Sequence, residues 1–171
     1  MSVFEKISPE QIENSVKLIG KDWMLITAND QKNGRTNVMT ASWGTLGVLW
    51  NKNVCICFVR PERYTHELLM AENEFSIAFL DEKYRDALRF CGRESGRNID
   101  KVEACGLNAE KIDGVCAISE AKLVLTCKKL YIDELKKSSF LDKTLLKNYE
   151  NGGYHTVFIC EITGAYKKGE L

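Results

Sequence analysis

Apolar and polar positions along the chain divide it into short β-type runs separated by turn residues, with helical spacing confined to a few places. Trp23-Met24-Leu25-Ile26-Thr27-Ala28 is a continuous apolar run of strand length, and residues 29–34 are polar turn material with an Asn-Gly pair. Residues 36–43 return antiparallel to that run, giving an early hairpin. Residues 54–60 form the next strand, with Val54, Ile56 and Phe58 on one face and Cys55, Cys57 and Val59 on the other. Apolar side chains on both faces predict a strand covered on both sides, as in a barrel wall that also meets a helix or a partner subunit. The segment between these runs, around Gly44 and Trp50-Asn51-Lys52, reads as a connection. Further strands are expected over residues 75–80 and 154–166, and residues 117–133 hold two strands or one bent one.

Helical signals are fewer. Ser8-Pro9-Glu10-Gln11 places a cap residue, a proline at the first helical position and a glutamine three after the cap, and Ile12, Val16 and Ile19 follow at helical spacing. This predicts a helix over 9–19 ended by Gly20. A second helix is expected over 63–72, after Pro61 stops the preceding strand. Asp81 reads as the cap of a helix over 83–91 striped by Tyr84, Leu88 and Cys91, and Asn98 as the cap of one over 99–105, closed by Gly106. Residues 136–149 are charged, with room for a short helix, and Gly152-Gly153 makes a turn. Strands outnumber helices and most sequence neighbours can pair directly, so the fold class is mainly β, an antiparallel barrel with peripheral helices.

The 171 residues suit a single domain spanning 1–171, and such a chain buries roughly 70% of its unfolded surface. Lys plus Arg and Asp plus Glu balance at 24 each, which argues against a nucleic-acid partner held by general electrostatics. No apolar run approaches the roughly 20 residues that span a membrane. The opening Met1-Ser2-Val3-Phe4-Glu5-Lys6 has no apolar core after its lysine, so no signal peptide is expected and the location is cytoplasmic. The seven cysteines are odd in number and contain no Cys-x-x-Cys pair. Cys55, Cys57, Cys116, Cys127 and Cys160 lie in apolar or β-like surroundings and read as reduced packing residues, with no metal site assigned.

Candidate chemistry gathers from Asn37 to Thr65. Thr40, Ala41 and Ser42 are small enough to let a bulky planar ligand approach the backbone, and Arg60, Arg63 and Thr65 supply charge and hydrogen bonds to an anion. Ser95-Gly96-Arg97 with Lys101 puts a glycine, a hydroxyl and two cations at a helix start, a plausible phosphate cradle. Arg85, Arg89 and Arg93 are four apart and read instead as a solvated face answered by Glu82, Asp86 and Glu94. Trp43 can stack on a planar ligand or fill the core, and Trp50 has the same choice with less to favour stacking. Of the two histidines, His66 and His155, neither sits in a Ser-His-Asp or metal-ligand spacing, but His155 between aromatic neighbours can donate to a ligand. The chain has no Gly-x-Gly-x-x-Gly after a strand, which counts against a doubly wound nucleotide domain.

At these residues the chain resembles the flavin reductase-like family, in the flavoredoxin-like branch of the FMN-binding split-barrel proteins. The resemblance rests on Asn37-Val38-Met39-Thr40-Ala41-Ser42-Trp43 and Phe58-Val59-Arg60-Pro61-Glu62-Arg63-Tyr64-Thr65. It continues through Phe90-Cys91-Gly92-Arg93-Glu94-Ser95-Gly96-Arg97 with Asp100-Lys101, and Gly153-Tyr154-His155. It implies a homodimer of split β-barrels with FMN near the subunit interface. Met39, Thr40 and Ala41 would then give backbone contacts to the ring, and Asn37, Ser42 and Trp43 would flank it. Arg60, Arg63 and Thr65, helped by Ser95, Gly96 and Lys101, would receive the phosphate, and His155 would come in beside the ring. The chain ends soon after Tyr166, where family members often carry a longer tail. The implied activity is NAD(P)H-dependent oxidoreductase chemistry, from a nicotinamide dinucleotide through flavin to an acceptor, with no catalytic side chain assigned. The alternative is flavoredoxin-like electron transfer from a redox protein without direct nicotinamide use. Another reading is a binding module whose basic cluster holds a different phosphorylated ligand or a haem.

Overall fold

In the computed structural model of this chain, residues 3–169 are described; Met1 and Ser2, part of the segment read for a leader, lie outside them with Glu170 and Leu171. A strand that the alternation does not announce, β1 (Phe4–Ile7), comes first. The Ser8 capping box then forms around a single 3-10 turn, Pro9–Gln11, with the Ser8 N–H donating back to the Gln11 side chain at 2.9 Å. The helix expected over 9–19 does not run. Ile12 turns extended and packs against the core, and left-handed Asn14 caps a fresh turn, α1 (Ser15–Lys17), which widens into a π-type turn over Leu18–Asp22. Gly20 lies inside that turn rather than ending a helix.

The early hairpin forms as expected. β2 (Met24–Asp30) pairs antiparallel with β3 (Arg35–Ala41) in a register that sets Leu25 against Thr40 and Ala28 against Asn37. The connection expected next is itself a strand. β4 (Gly44–Leu49) pairs with β5 (Lys52–Val59) through Trp50 and Asn51, both with positive φ, the backbone that a tight two-residue hairpin turn requires. Gly44 belongs there because a Cβ would stand 2.8 Å from the Ile56 carbonyl oxygen.

α2 (Tyr64–Ala71), β6 (Glu74–Phe79) and α3 (Arg85–Arg93) follow where the periodicity puts them. Asp81 stands before the turn leading into α3, but its side chain makes no capping bond. The next helix, α4 (Lys101–Ala104), is shorter than expected because Asp100, not Asn98, caps it: that carboxylate accepts from the Val102 and Glu103 N–H groups. Gly106 closes it with φ +63°. β7 (Ala109–Ile112) and β8 (Val115–Ile118) form a separate hairpin, so the 117–133 region divides between β8 and the long β9 (Leu123–Glu134). Two 3-10 turns lead through Gly152 and Gly153, both at positive φ, into β10 (Thr156–Lys168).

The main sheet runs β3-β2-β6-β9-β10-β5-β4, with β1 also on β10, and all its pairs are antiparallel. The result is a mainly β split barrel. Its interior packs Met24, Ile26, Met39, Phe75, Phe79 and Phe158. A second core between the outer face of the sheet and α3, α4 and β8 holds Leu25, Val38, Leu88, Val102, Ile118 and Val124. β2 is therefore buried on both faces, which explains its unbroken apolar run. β5 differs: Val54, Cys55, Cys57 and Val59 are buried, but Ile56 and Phe58 are only half covered.

All seven cysteines are free, and Cys55, Cys57, Cys127 and Cys160 pack inside the barrel. Arg89, paired with Asp86 (3.0 Å), and Arg93, paired with Glu94 (2.9 Å), form the solvated face expected of α3. Arg85, paired with Glu82 (2.9 Å), is instead largely covered, lying 4.2 Å over the Trp23 ring and donating to the Lys21 carbonyl at 2.9 Å. Among the described residues no helix is long and apolar enough to cross a membrane.

Candidate functional site

The half-covered face of β5 opens onto a cavity of about 200 Å³ where β3 leaves the sheet. Met39, Thr40, Ala41, Ser42 and Trp43 form one wall, and Arg60, Arg63 and His155 face them together with Phe58. The expected site residues on β3, β5 and the Gly153-Tyr154-His155 turn therefore meet at one place. The Thr40 hydroxyl donates to the Leu88 carbonyl in α3 at 2.6 Å, so its polar end is already engaged and the strand's backbone is what remains for a ligand.

Asn37, Thr65, Ser95, Gly96 and Lys101 do not line the cavity; they form the layer behind it. Asn37 and Thr65 are buried and joined by an Nδ2–Oγ1 bond of 2.8 Å. Gly96 is pressed against this pair, since a Cβ there would lie 2.0 Å from Asn37 Oδ1. The Ser95 hydroxyl accepts from the Arg97 N–H at 3.2 Å, while Arg97 itself leaves the site to pair with Glu67 and lie over Tyr64.

Why the cations converge follows from α3. The last carbonyls of a helix have no intrahelical donor and carry partial negative charge. Arg63 Nη1 donates to Gly92 O at 2.8 Å, and the buried Lys101 ammonium donates to Cys91 O at 3.0 Å and Glu94 O at 3.2 Å. Two cations thus finish one helix end and hold the loop beyond it. They also sit close to each other: burial first, and then Arg63 among the charges around it, brings the Lys101 ammonium down to about 8. Burial likewise lowers Arg63, whose Nη2 is buried with no hydrogen-bond partner among the described residues. An orphaned guanidinium N–H of this kind is costly unless an acceptor reaches it.

Arg60 is differently committed. Its Nη1 donates to Gly153 O (3.1 Å) and its Nη2 to Asn148 O (2.8 Å), with the guanidinium 5.1 Å from the Tyr149 ring centroid. It fastens the segment that carries His155. Tyr149 Oη and His155 Nδ1 are 2.7 Å apart in the interior, and no other partner for the phenol occurs among the described residues. With the phenol as donor, Nδ1 accepts and Nε2 is the protonated nitrogen of the neutral ring. Burial, and then the positive charge of Arg60, hold His155 down at about 4, so the ring is neutral at physiological pH. Trp43 stands at the mouth, half exposed, its ring 5.2 Å from that of His155.

Sequence reasoning missed Phe58 as a wall of the cavity and Tyr149 as the partner of His155. Phe58 carries the signal of an apolar residue next to the arginine block. Tyr149 has none, since it ends a charged stretch with no periodicity.

A family model described as Flavin reductase like domain matches residues 17–171. Among solved structures, the chain is similar to an FMN-binding protein from Thermus thermophilus with bound p-hydroxybenzaldehyde. The two are 19% identical with a TM-score of 0.68, over 98% of this chain and 83% of that one. It is also similar to flavoredoxin of Desulfovibrio vulgaris (Miyazaki F), at 21% identity and TM-score 0.68 over 86% of this chain and 69% of that one. A flavoredoxin from Methanosarcina acetivorans is 24% identical with a TM-score of 0.67, over 96% and 76% of the two chains. No curated protein matches the chain in sequence.

Proposed function

Because this chain belongs to the flavin reductase-like family, we propose that it is a single-domain FMN-dependent oxidoreductase that takes reducing equivalents from a nicotinamide dinucleotide and passes them to an acceptor. The observation that supports the FMN reading is Arg63, whose side chain lines a cavity walled by small residues while its buried Nη2 has no hydrogen-bond partner among the described residues. A phosphate ester gives that N–H its acceptor and offsets the crowding of Arg63 against Lys101. Gly96 supports the same reading, because no larger residue fits against Asn37 in the layer behind the cations.

Met39, Thr40, Ala41, Ser42 and Trp43 would hold the ring, and Arg60 and Arg63, with Asn37, Thr65, Ser95, Gly96 and Lys101 behind them, the phosphate. The flavin, held by these residues, would supply the hydride- and electron-transfer chemistry that the side chains lack. The chain's own residues bind and orient. His155 presents a neutral N–H donor held in one tautomer by Tyr149, and Trp43 shields the open side.

The cavity is smaller than the roughly 300–1,000 Å³ usual for such ligands, and exposed apolar surface at the far end of the β4–β5 hairpin and on β9 supports a second copy. Val48 is 72% exposed, Trp50 54% and Tyr131 45%, with the Trp50 and Tyr131 rings 6.4 Å apart. A homodimer that covers this band supports a two-subunit cofactor site. The free cysteines support a reducing, cytoplasmic setting.

Titration of the purified protein with FMN, followed by addition of NADH or NADPH, tests the proposal. A saturable flavin spectrum bleached by the nicotinamide supports it. Failure to bind FMN overturns the cofactor, and a bound flavin reduced only by dithionite moves the protein to flavoredoxin-like electron transfer. The half-exposed Trp43 at the cavity mouth favours that second reading, since it offers a contact surface to a redox protein.

A further inference from the structure

Cys91 and Cys105 bracket the loop behind the candidate site. Cys91 lies in the last turns of α3 and Cys105 at the C-terminal end of α4, and their sulfurs are 3.8 Å apart although the residues are 14 positions apart in sequence. Between them run Gly92 and Glu94, whose carbonyls receive Arg63 and Lys101, then Ser95, Gly96 and Lys101 itself. We propose that Cys91 and Cys105 form a redox modification site, in which a hydroperoxide converts the two thiols to a disulfide that ties off the 92–104 loop.

The two sulfurs have distinct roles. Cys105 is partly exposed and admits the oxidant, whereas Cys91 is fully buried. Burial also pushes the Cys91 thiol up to about 12, so it does not begin the reaction. In the first step the Cys105 sulfur attacks an oxygen of the hydroperoxide and the O–O bond breaks. The other oxygen leaves with a proton as water or alcohol, and Cys105 becomes a sulfenic acid. In the second step the Cys91 sulfur gives up its proton and attacks Cys105, expelling that oxygen as water. The Lys101 ammonium, bonded to the Cys91 carbonyl, favours the anionic sulfur this step needs. Two thiols lose two electrons in all, and one hydroperoxide gains them.

A disulfide needs its sulfurs at about 2.0 Å, and these stand 3.8 Å apart, in van der Waals contact, before any bond forms. The barrel interior offers a contrasting pair: Cys55 and Cys57 are 3.4 Å apart at the sulfurs but neighbour one another on a single strand and are wholly enclosed, out of reach of the oxidant. Disulfides in reducing compartments are mostly transient and redox-sensing, and a pair at the ends of a ligand-holding loop suits that use.

The test needs no flavin, so it stands or falls apart from the proposed function. The full-length protein is treated with hydrogen peroxide under native conditions, blocked with an alkylating reagent and mapped by peptide mass spectrometry. The expected product is one intramolecular disulfide joining the Cys91 and Cys105 peptides, reversed by dithiothreitol and absent from C105S. Closing a loop of this size should raise the thermal midpoint of the oxidised wild type by about 6–12 °C, with C105S unmoved by the same treatment. Because C105S alters a partly exposed position, it keeps the test decisive if a Cys91 variant folds poorly. Oxidation of Cys105 to a sulfinic acid without a cross-link, a disulfide between two chains, or a bond involving Cys55 or Cys57 instead would each overturn the proposal.

Discussion

Replacing Gly96 with alanine puts the packing behind the site to a quantitative test. The added Cβ would lie 2.0 Å from Asn37 Oδ1, 3.1 Å from Asn37 Cγ and 3.0 Å from Tyr64 Cδ1. Asn37 cannot swing away freely, because it is buried and its Nδ2 donates to the buried Thr65 hydroxyl at 2.8 Å. Overfilling a packed site costs about 1–3 kcal/mol, and breaking a buried hydrogen bond so that its groups lose their partners costs about 1–3 kcal/mol. The smaller entropy of an unfolded alanine chain returns about 0.4–1 kcal/mol. The net loss should be about 1–5 kcal/mol, and its central value of about 3 kcal/mol corresponds to a fall of roughly 6–12 °C in thermal midpoint for a chain of this length. Urea unfolding should show a lower midpoint with an unchanged slope. Gly47→Ala is the control: nothing lies within 4 Å of its new Cβ, so it should keep the entropic gain alone and rise in stability by about 0.4–1 kcal/mol. Adding Asn37→Ala to Gly96→Ala should recover part of the loss, since the clashing amide is gone. Equal stability for the Gly96 and Gly47 variants would refute the reasoning.

The cations and the histidine give further tests. Arg63→Met should weaken FMN binding ten- to a hundred-fold, about 1.5–3 kcal/mol, in a fluorescence titration. Lys101→Ala should do the same by releasing the loop it holds, and unchanged affinity would remove Lys101 from the site. Because folding lowers His155 from 6.5 to about 4, the unfolded chain takes up the proton first as the pH falls. Its contribution to stability should be complete above pH 6.5, decline between about 6.5 and 4, and level off below. His66 is lowered too, by burial, and acts in the same direction, so His155→Gln should flatten only part of the slope in urea unfolding across that window. Tyr149→Phe removes the donor to Nδ1, so nuclear magnetic resonance should find the His155 ring titrating at higher pH and its tautomers mixed.

The framework was legible wherever burial imposed a period. β2 and β3 were readable because residues 23–28 form a nearly unbroken apolar run and the next strand returns after an Asn-Gly turn, and α2, β6 and α3 followed from stops and stripes. β4 was not, because its outward residues mix apolar and polar types and its two glycines look like a linker until Ile56 is seen approaching Gly44. The 9–19 helix failed for a local reason: Asn14 starts a new turn in a left-handed conformation that helical spacing does not encode. In the site, residues on strands were brought together as expected. Asn37, Thr65, Gly96 and Lys101 also come together, but as a supporting layer, since Lys101 spends its donors on the end of α3. Spacing locates a cation in sequence but not the carbonyls it will choose.

β10 hydrogen-bonds to β9, β5 and β1, with residues 156–161 lying between β5 and β9. On the ribosome, both of those neighbours emerge before it and wait with naked edges, since nothing earlier in the chain can occupy the gap. The nascent protein therefore passes through a stage in which two open β edges, one of them lined by Cys55 and Cys57, face water together. Wrong pairing with a second copy competes with completion until β10 is inserted.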